Sequence, residues 1–228
     1  MRGKLIVFEG GEGCGKTTQL QRSHGWLVQN DVWQLLCEKK QIAGVKTTRE
    51  PGGTALGQRL RQLLLNGLES DQQTPIVSRA ELLLYAADRA QHVEETLLPW
   101  LEAGYWVLCD RYTDSTIAYQ GYGRQLDLPM ITTLNQIATG GLKSDLTLWL
   151  QVSPEVGLAR MRSRGQADRI EQASMAFHRR VATGFAALAE SEATVTVEGD
   201  RAADEVAASI QQVLRSRLRQ WYPECSNL

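Results

Sequence analysis

Between Phe8 and Thr18 the chain reads FEGGEGCGKTT, directly behind the apolar run KLIVF. Gly10, Gly15, Lys16 and Thr17 fit the pattern GxxxxGK(S/T), with a strand-like segment before it and a helix-forming one after it. Glycines let successive backbone N–H groups turn toward one anion, and a helix starting near Lys16 adds its positive end. Gly10, Gly11, Glu12, Gly13, Cys14, Gly15, Lys16, Thr17 and Thr18 are read together as a triphosphate cradle. In it Lys16 reaches the outer phosphates and the Thr17 hydroxyl ligates Mg²⁺. Glu12 is out of place in a purely anionic site, because a bound polyphosphate repels it, so something else there must want a carboxylate. Asp110 ends the run WVLCD, where a strand-end carboxylate can hold the waters around Mg²⁺. Its neighbour Arg111 points into the same crevice, or the two form a local surface pair.

Phosphoryl transfer leaves negative charge on the transferring oxygens, so its catalysis is mostly positioning and electrostatic clamping. The variable positions of the cradle, Gly11, Glu12, Gly13 and Cys14, carry no basic side chain. A clamp must come from elsewhere, and ARMRSRGQADR supplies Arg160, Arg162, Arg164 and Arg169 around Gly165. This is the pattern of a hinged lid at residues 160–170, with Arg164 and Arg169 as the catalytic candidates beside Lys16 and Arg111.

A second group of residues suits a planar base, a sugar and one more phosphate. TREPGGT places Arg49 and Glu50 beside a Pro-Gly-Gly turn. In YAADR, Tyr85, Asp88 and Arg89 stand at i, i+3 and i+4 and share one helix face. Tyr85 offers a flat surface for stacking and Arg89 a fixed fork of donors for carbonyl acceptors. DRYTDSTIAYQGYGR runs on from the Asp110 strand with hydroxyls, an amide and aromatics. The plainer alternatives are Tyr85 as core, Arg89 as an ion-pair partner and PGGT as a mere turn.

The elements that must position these residues alternate. Residues 4–9, 45–50, 105–110, 145–152 and 193–199 read as strands, and continuous apolar character in several of them implies burial on both faces. Helical patterns lie at 16–40, 54–66, 76–102, 113–139 in two pieces, 154–163, 171–190 and 202–220. Such alternation predicts an α/β fold in which an open parallel sheet is covered by helices, with ligands beyond the carboxyl ends of the strands. Across 228 residues there is no internal repeat or interdomain linker, which predicts a single domain spanning 1–228.

A net charge of −1 gives no general attraction for nucleic acid or an anionic membrane, so any basic site is local. No apolar stretch reaches the roughly 20 residues of a bilayer span, and the opening run is too short for a signal peptide. Cys14, Cys37, Cys109 and Cys225 form no CxxC pair, which reads as reduced thiols in a cytoplasmic protein. His24, His92 and His178 do not cluster, so nothing points to a histidine metal site or general base. A nucleotide-switched binding protein is disfavoured by the lack of an NKxD segment and of a DxxG after WVLCD.

FEGGEGCGKTT, TREPGGT, LLYAADRAQHV, DRYTDSTIAYQGYGR and RSRGQADRIEQ stand in the order and approximate spacing of the bacterial thymidylate kinases, which the chain resembles over residues 3–200. The resemblance implies the three-layer P-loop NTPase fold, with a five-stranded parallel sheet, helices on both faces and a short lid. It also implies phosphorylation of dTMP to dTDP by ATP with Mg²⁺, and a homodimer. Residue by residue, it implies that Tyr85 stacks on the thymine and Arg89 donates to its carbonyl side. Arg111 and Arg49 grip the dTMP phosphate, Thr116 and Gln120 lie near the base, and Tyr119 crowds the sugar edge where a ribonucleotide carries its extra hydroxyl. Glu12 accepts from the 3′-hydroxyl of the acceptor sugar. No general base is needed, since the attacking phosphate oxygen is already anionic. The segment 23–46 departs from the pattern, being longer and more aromatic; Trp26, Trp33 and Leu36 extend the helix packing or feed a subunit interface.

Overall fold

In a computed structural model, residues 2–66, 75–162 and 168–223 are described. The central strand β1 (Leu5–Glu9) is buried along its whole length. Its side chains alternate between two cores, as strand geometry requires: Ile6 and Phe8 enter one, Leu5 and Val7 the other. Burial on both sides is why the run reads as continuous rather than alternating hydrophobicity.

β2 (Gly44–Arg49), β3 (Tyr105–Asp110), β4 (Leu146–Gln151) and β5 (Thr194–Glu198) complete a five-stranded sheet in the order β2-β3-β1-β4-β5. Every pairing is parallel. The chain builds one side of β1 first and then crosses to the other. The crevice beyond the carboxyl end of β1 is therefore the expected ligand position. Register aligns Phe8 and Arg49 on either side of Asp110, so one strand-end row carries both a cation and an anion.

On the Ile6 face lie α1 (Lys16–Gln29), α2 (Asp31–Glu38) and the C-terminal α10, whose bounds are Ala203–Trp221. The helix read over 16–40 is two helices. Asn30 takes an extended conformation (φ −82°, ψ 127°) and its side chain accepts from the Trp33 N–H at 3.1 Å, capping α2. The cap turns Trp33 and Leu36 into the core. Trp33 meets Trp106 edge-on at 5.0 Å, Trp221 meets it at 5.1 Å, and the Trp106 Nε1–H donates to the Tyr222 hydroxyl. The aromatic surplus of residues 23–46 thus joins α2 and α10 to β3, with Trp26 packed at its margin.

α3 (Ala55–Asn66) and α4 (Ser78–His92) follow β2. The helix of α4 continues through a π-helical turn, Val93–Leu97, into α5 (Leu98–Glu102), widening as it reaches Pro99, which has no N–H to give the preceding turn. After β3 come α6 (Thr113–Thr116), a second π-helical stretch Ile117–Gly123 and α7, Leu128–Thr139. α8 spans Pro154–Arg162 and α9 spans Met175–Leu188. α9 starts later than the pattern read from 171, because Ser174 caps it and Asp168 holds the preceding turn through the N–H groups of Ile170 and Glu171.

Candidate functional site

The loop from Gly10 to Gly15 links β1 to α1 in a conformation that only glycine supplies cheaply. Gly10 has φ 144°, and a Cβ there would lie 2.7 Å from the Leu150 carbonyl oxygen. Gly13 has φ 68°, and its Cβ would fall 2.0 Å from the carbonyl oxygen of Gly157 on α8. No side chain caps the start of α1, so its first N–H groups are left to an anion. The buried Lys16 ammonium donates to the carbonyls of Gly10 (3.0 Å) and Gly11 (2.8 Å) and contacts Cys14 Sγ. Thr17 Oγ1 donates to Asp110 Oδ2 at 2.7 Å, which brings two hard oxygen ligands together at the mouth of the loop. That pair suits Mg²⁺, which takes few protein oxygens and keeps its remaining places for phosphate and water. Among the described residues no cluster of three or more His, Cys, Asp or Glu forms a protein-only metal cage.

Arg111 leaves the end of β3 with φ 74°, and its N–H bonds the Phe8 carbonyl. The turn aims its guanidinium back at the loop, where it donates to Gly10 O (3.0 Å), Ser115 Oγ (3.1 Å), Glu12 Oε1 (2.6 Å) and the Tyr119 hydroxyl. Tyr119 in turn donates to Glu12 Oε1 at 2.6 Å. Burial by itself would raise the Glu12 pKa, but the Arg111 charge outweighs it, helped by Lys16 and the Tyr119 hydroxyl, and the carboxyl is held at about 2. Both donors use Oε1, and Oε2 accepts nothing from the described residues. Just behind, Glu9 accepts from the Tyr112 and Ser115 N–H groups and from Ser115 Oγ. Burial first, and then the neighbouring Asp114 charge, push its carboxyl up to about 7.

Two cavities open here. One, of about 200 Å³, is lined by Gly13, Gly15, Lys16, Thr17, Thr18, Arg49 and Asp110. The other, of about 80 Å³, is lined by Tyr85, Arg89, Thr116, Tyr119 and Gln120. Glu12, Glu50, Arg61, Arg111 and Asp168 line both, so the two spaces meet at a shared charged wall. A roomier groove of about 460 Å³, between the Asn30 turn and α10, shares no residue with either.

Arg89 is almost fully buried. It donates through Nε to Glu50 (2.8 Å), through Nη1 to Thr116 Oγ1 and Asn135 Oδ1, and through Nη2 to the Tyr112 carbonyl. The other oxygen of Glu50 bonds His92 Nδ1 at 2.8 Å, and His92 Nε2 bonds Thr48 Oγ1. A Cβ on Gly53 would fall 2.4 Å from the His92 ring, which fixes how the turn after β2 seats on α4. Asp88 Oδ1 holds the Gly52 N–H, while Oδ2 has no partner among the described residues; burial, with the Glu50 charge, raises this carboxyl to about 6. Tyr85 is half-buried and faces the second cavity.

The residues read from the cradle, from TREPGGT, from YAADR and from the DRY stretch are thus brought to one crevice. Arg169 donates to the Leu64 carbonyl and to Glu81, which also holds Gln120 of the second cavity. Arg164 lies outside the described residues. Arg61, which lines both cavities, was not singled out in the sequence. It donates to the Pro51 carbonyl, and burial together with Arg49 and Arg111 pulls its pKa down. Its only sequence signal is a helix position twelve residues beyond Arg49. Asn135, Glu50, His92 and Glu81 were missed as supporting partners for the same reason: their contacts span long stretches of chain and leave no spacing to read, whereas Ser115 stands four residues after the Arg111 it supports.

The sequence profile described as thymidylate kinase matches residues 8–210. A thymidylate kinase of Cyanothece sp. (strain PCC 7425 / ATCC 29141) is 56% identical, with all of both chains covered. One of Acaryochloris marina (strain MBIC 11017) is 55% identical over 98% of this chain and 100% of its own. One of Synechococcus sp. (strain RCC307) is 52% identical over 96% and 98%.

Proposed function

Because the chain belongs to the thymidylate kinase family, we propose that it transfers the γ-phosphoryl group of ATP to dTMP, giving dTDP and ADP. The observation that carries this reading is the shared wall of the two cavities. Glu12, Arg61 and Arg111 stand where a triphosphate tip in one space meets a monophosphate in the other.

In this reading the loop N–H groups, the start of α1 and Lys16 hold the donor phosphates. Lys16 redirects its ammonium from the Gly10 and Gly11 carbonyls to do so. Thr17 and Asp110 hold Mg²⁺, which, when bound, neutralises charge on the donor phosphates. Arg111, Arg49 and Arg61 hold the acceptor phosphate, and two guanidinium groups already at close quarters gain from an anion placed between them. Glu12 Oε2 accepts from the 3′-hydroxyl while Oε1 stays on Arg111 and Tyr119. Tyr85 stacks on the base, with Arg89, Thr116 and Gln120 around its edge. Tyr119, fixed by Glu12 and ringed by Phe177 and Phe185, crowds the sugar edge where a ribonucleotide carries its extra hydroxyl. Arg164, and Arg169 on leaving the Glu81 carboxylate that holds it here, complete the clamp from a lid at 160–170 within a single 1–228 domain.

We also read the protein as a cytoplasmic homodimer. Leu56 on α3 and Leu83 on α4, two helices that pack on each other, are exposed leucines suited to a second copy. Cys14, Cys37 and Cys109 are free thiols, and no helix among the described residues is long and apolar enough to cross a membrane.

A coupled ADP-release assay with dTMP, dUMP, AMP, CMP and thymidine as acceptors tests the reaction. The highest kcat/KM is expected with dTMP; phosphorylation of thymidine in preference to dTMP sinks it. Sedimentation velocity of the wild type and of Leu83→Asp tests the dimer.

A further inference from the structure

The second cavity has a polar side chain whose orientation is set from behind. Gln120, on the π-helical stretch, is 2% exposed, and its carboxamide nitrogen donates to Glu81 Oε1 at 2.9 Å. Glu81, on α4, has no exposed surface. It also accepts from Arg124 through both oxygens (3.2 Å each) and from Arg169 Nη2 through Oε2. Burial raises its pKa, but the Arg124 and Gln120 hydrogen bonds and the two guanidinium charges more than reverse this, so the group is an anion. A carboxylate offers only lone pairs. It must therefore face the NH₂ half of a carboxamide, since the reverse orientation sets oxygen against oxygen. The Gln120 carbonyl oxygen is turned away from Glu81 and accepts nothing from the described residues. Arg89 has four of its five N–H groups engaged, which leaves one donor on Nη2.

We propose that Glu81 is a positioning residue that locks Gln120 with its acceptor toward the base, so that the site selects a pyrimidine bearing N–H at ring position 3. This rests on the assignment of the second cavity to the acceptor nucleotide. Gln120 as acceptor and Arg89 as donor match adjacent N–H and carbonyl groups, the edge shared by thymine and uracil. Cytosine, with a lone pair at position 3 and an amino group at position 4, is mismatched at both.

Glu81→Gln tests the lock. Two guanidinium donors, Arg124 Nη2 and Arg169 Nη2, meet Oε2, whereas Oε1 has Arg124 Nε and the reversible Gln120 amide, so the new carboxamide keeps its oxygen at Oε2 and turns its NH₂ toward Gln120. Gln120 must then flip and present its own NH₂ to the base. The ratio of kcat/KM for dTMP to that for dCMP is expected to fall at least tenfold, mainly through KM. Glu81→Asp, which keeps an acceptor-only group, is expected to hold the ratio within threefold of wild type. If both variants lose activity on the two acceptors in parallel, with the ratio unmoved, Glu81 is merely structural and the proposal is overturned. A wild type that does not use dTMP is a different result, and refutes the acceptor-site assignment. Should Glu81→Gln not fold, the wild type still decides. The side-chain amide protons of Gln120, identified by NMR against Gln120→Met, are expected to exchange slowly with solvent without nucleotide; rapid exchange overturns the lock.

Discussion

Arg111 and Glu12 are joined by a 2.6 Å ion pair that closes the gap between the end of β3 and the phosphate loop. The arginine reaches the loop only because its backbone is left-handed, a conformation that costs a non-glycine residue about 1 kcal/mol and is found mostly where geometry matters. The carboxylate that looks misplaced in the sequence is thus neutralised chiefly by Arg111, with Lys16 assisting.

The pair makes a statement about acid stability. Glu12 has a folded pKa of about 2 against an ordinary 4.5, so its contribution is complete above pH 4.5 and is lost as pH falls from there toward 2. The loss through this one group is at most about 3 kcal/mol. Chemical denaturation of wild type and Glu12→Gln between pH 5 and 3 is expected to show a shallower decline for the variant; parallel curves refute the pairing.

Lys16→Ala is expected to reduce kcat by at least a hundredfold, because among the described residues no other ammonium lines the loop cavity. The loop loses its tie to Gly10 and Gly11, so the melting temperature drops modestly while circular dichroism stays unchanged. Turnover within tenfold of wild type contradicts the cradle assignment.

Arg89 and Glu50 are both buried, and their separation strands a charge. Arg89→Ala is expected to lower stability by about 3–5 kcal/mol as well as raising the KM for dTMP far more than that for ATP. Arg89→Ala combined with Glu50→Gln should recover part of the stability but none of the dTMP affinity. Equal changes in both KM values make Arg89 a scaffold residue only.

Gly157 and Gly25 separate crowding from propensity. A Cβ on Gly157 would lie 2.2 Å from the carbonyl oxygen of Glu12, so Gly157→Ala must push the phosphate loop and is expected to raise the KM for ATP at least tenfold. Gly25, within α1, has open space around its Cβ position, and Gly25→Ala is expected to stabilise the protein by about 0.5–1 kcal/mol without kinetic effect. Thermal melts and initial rates on the two variants suffice.

β1, β3 and β4 were legible as continuous apolar runs and β2 and β5 as β-branched ones between turn residues, and the observed bounds of all five lie within two residues of those read. The break at Asn30 was not, since one capping residue inside a helix-compatible run outweighs the run only when tertiary packing gives Trp33 a place to go. The cradle and Asp110 were legible because the chemistry fixes their spacing. What holds the second cavity was not: Glu50 and Asn135 meet Arg89, His92 braces Glu50, and Glu81 meets Gln120, contacts that α4 makes with α7, the π-helical stretch and the turn after β2. Arg169, expected over the triphosphate, is held by Glu81.

The indoles around Trp106 form one optically coupled group between β3 and the last helix, whereas Trp149 packs with Tyr119 and Phe177 near the nucleotide crevice. Trp100 packs on the other face of the sheet and lines a cavity with Thr17, Arg49 and Asp110. Intrinsic emission therefore comes from three places: quenching when nucleotide enters should belong to Trp149 and Trp100, and a red shift on heating should mark the departure of the C-terminal helix from the sheet.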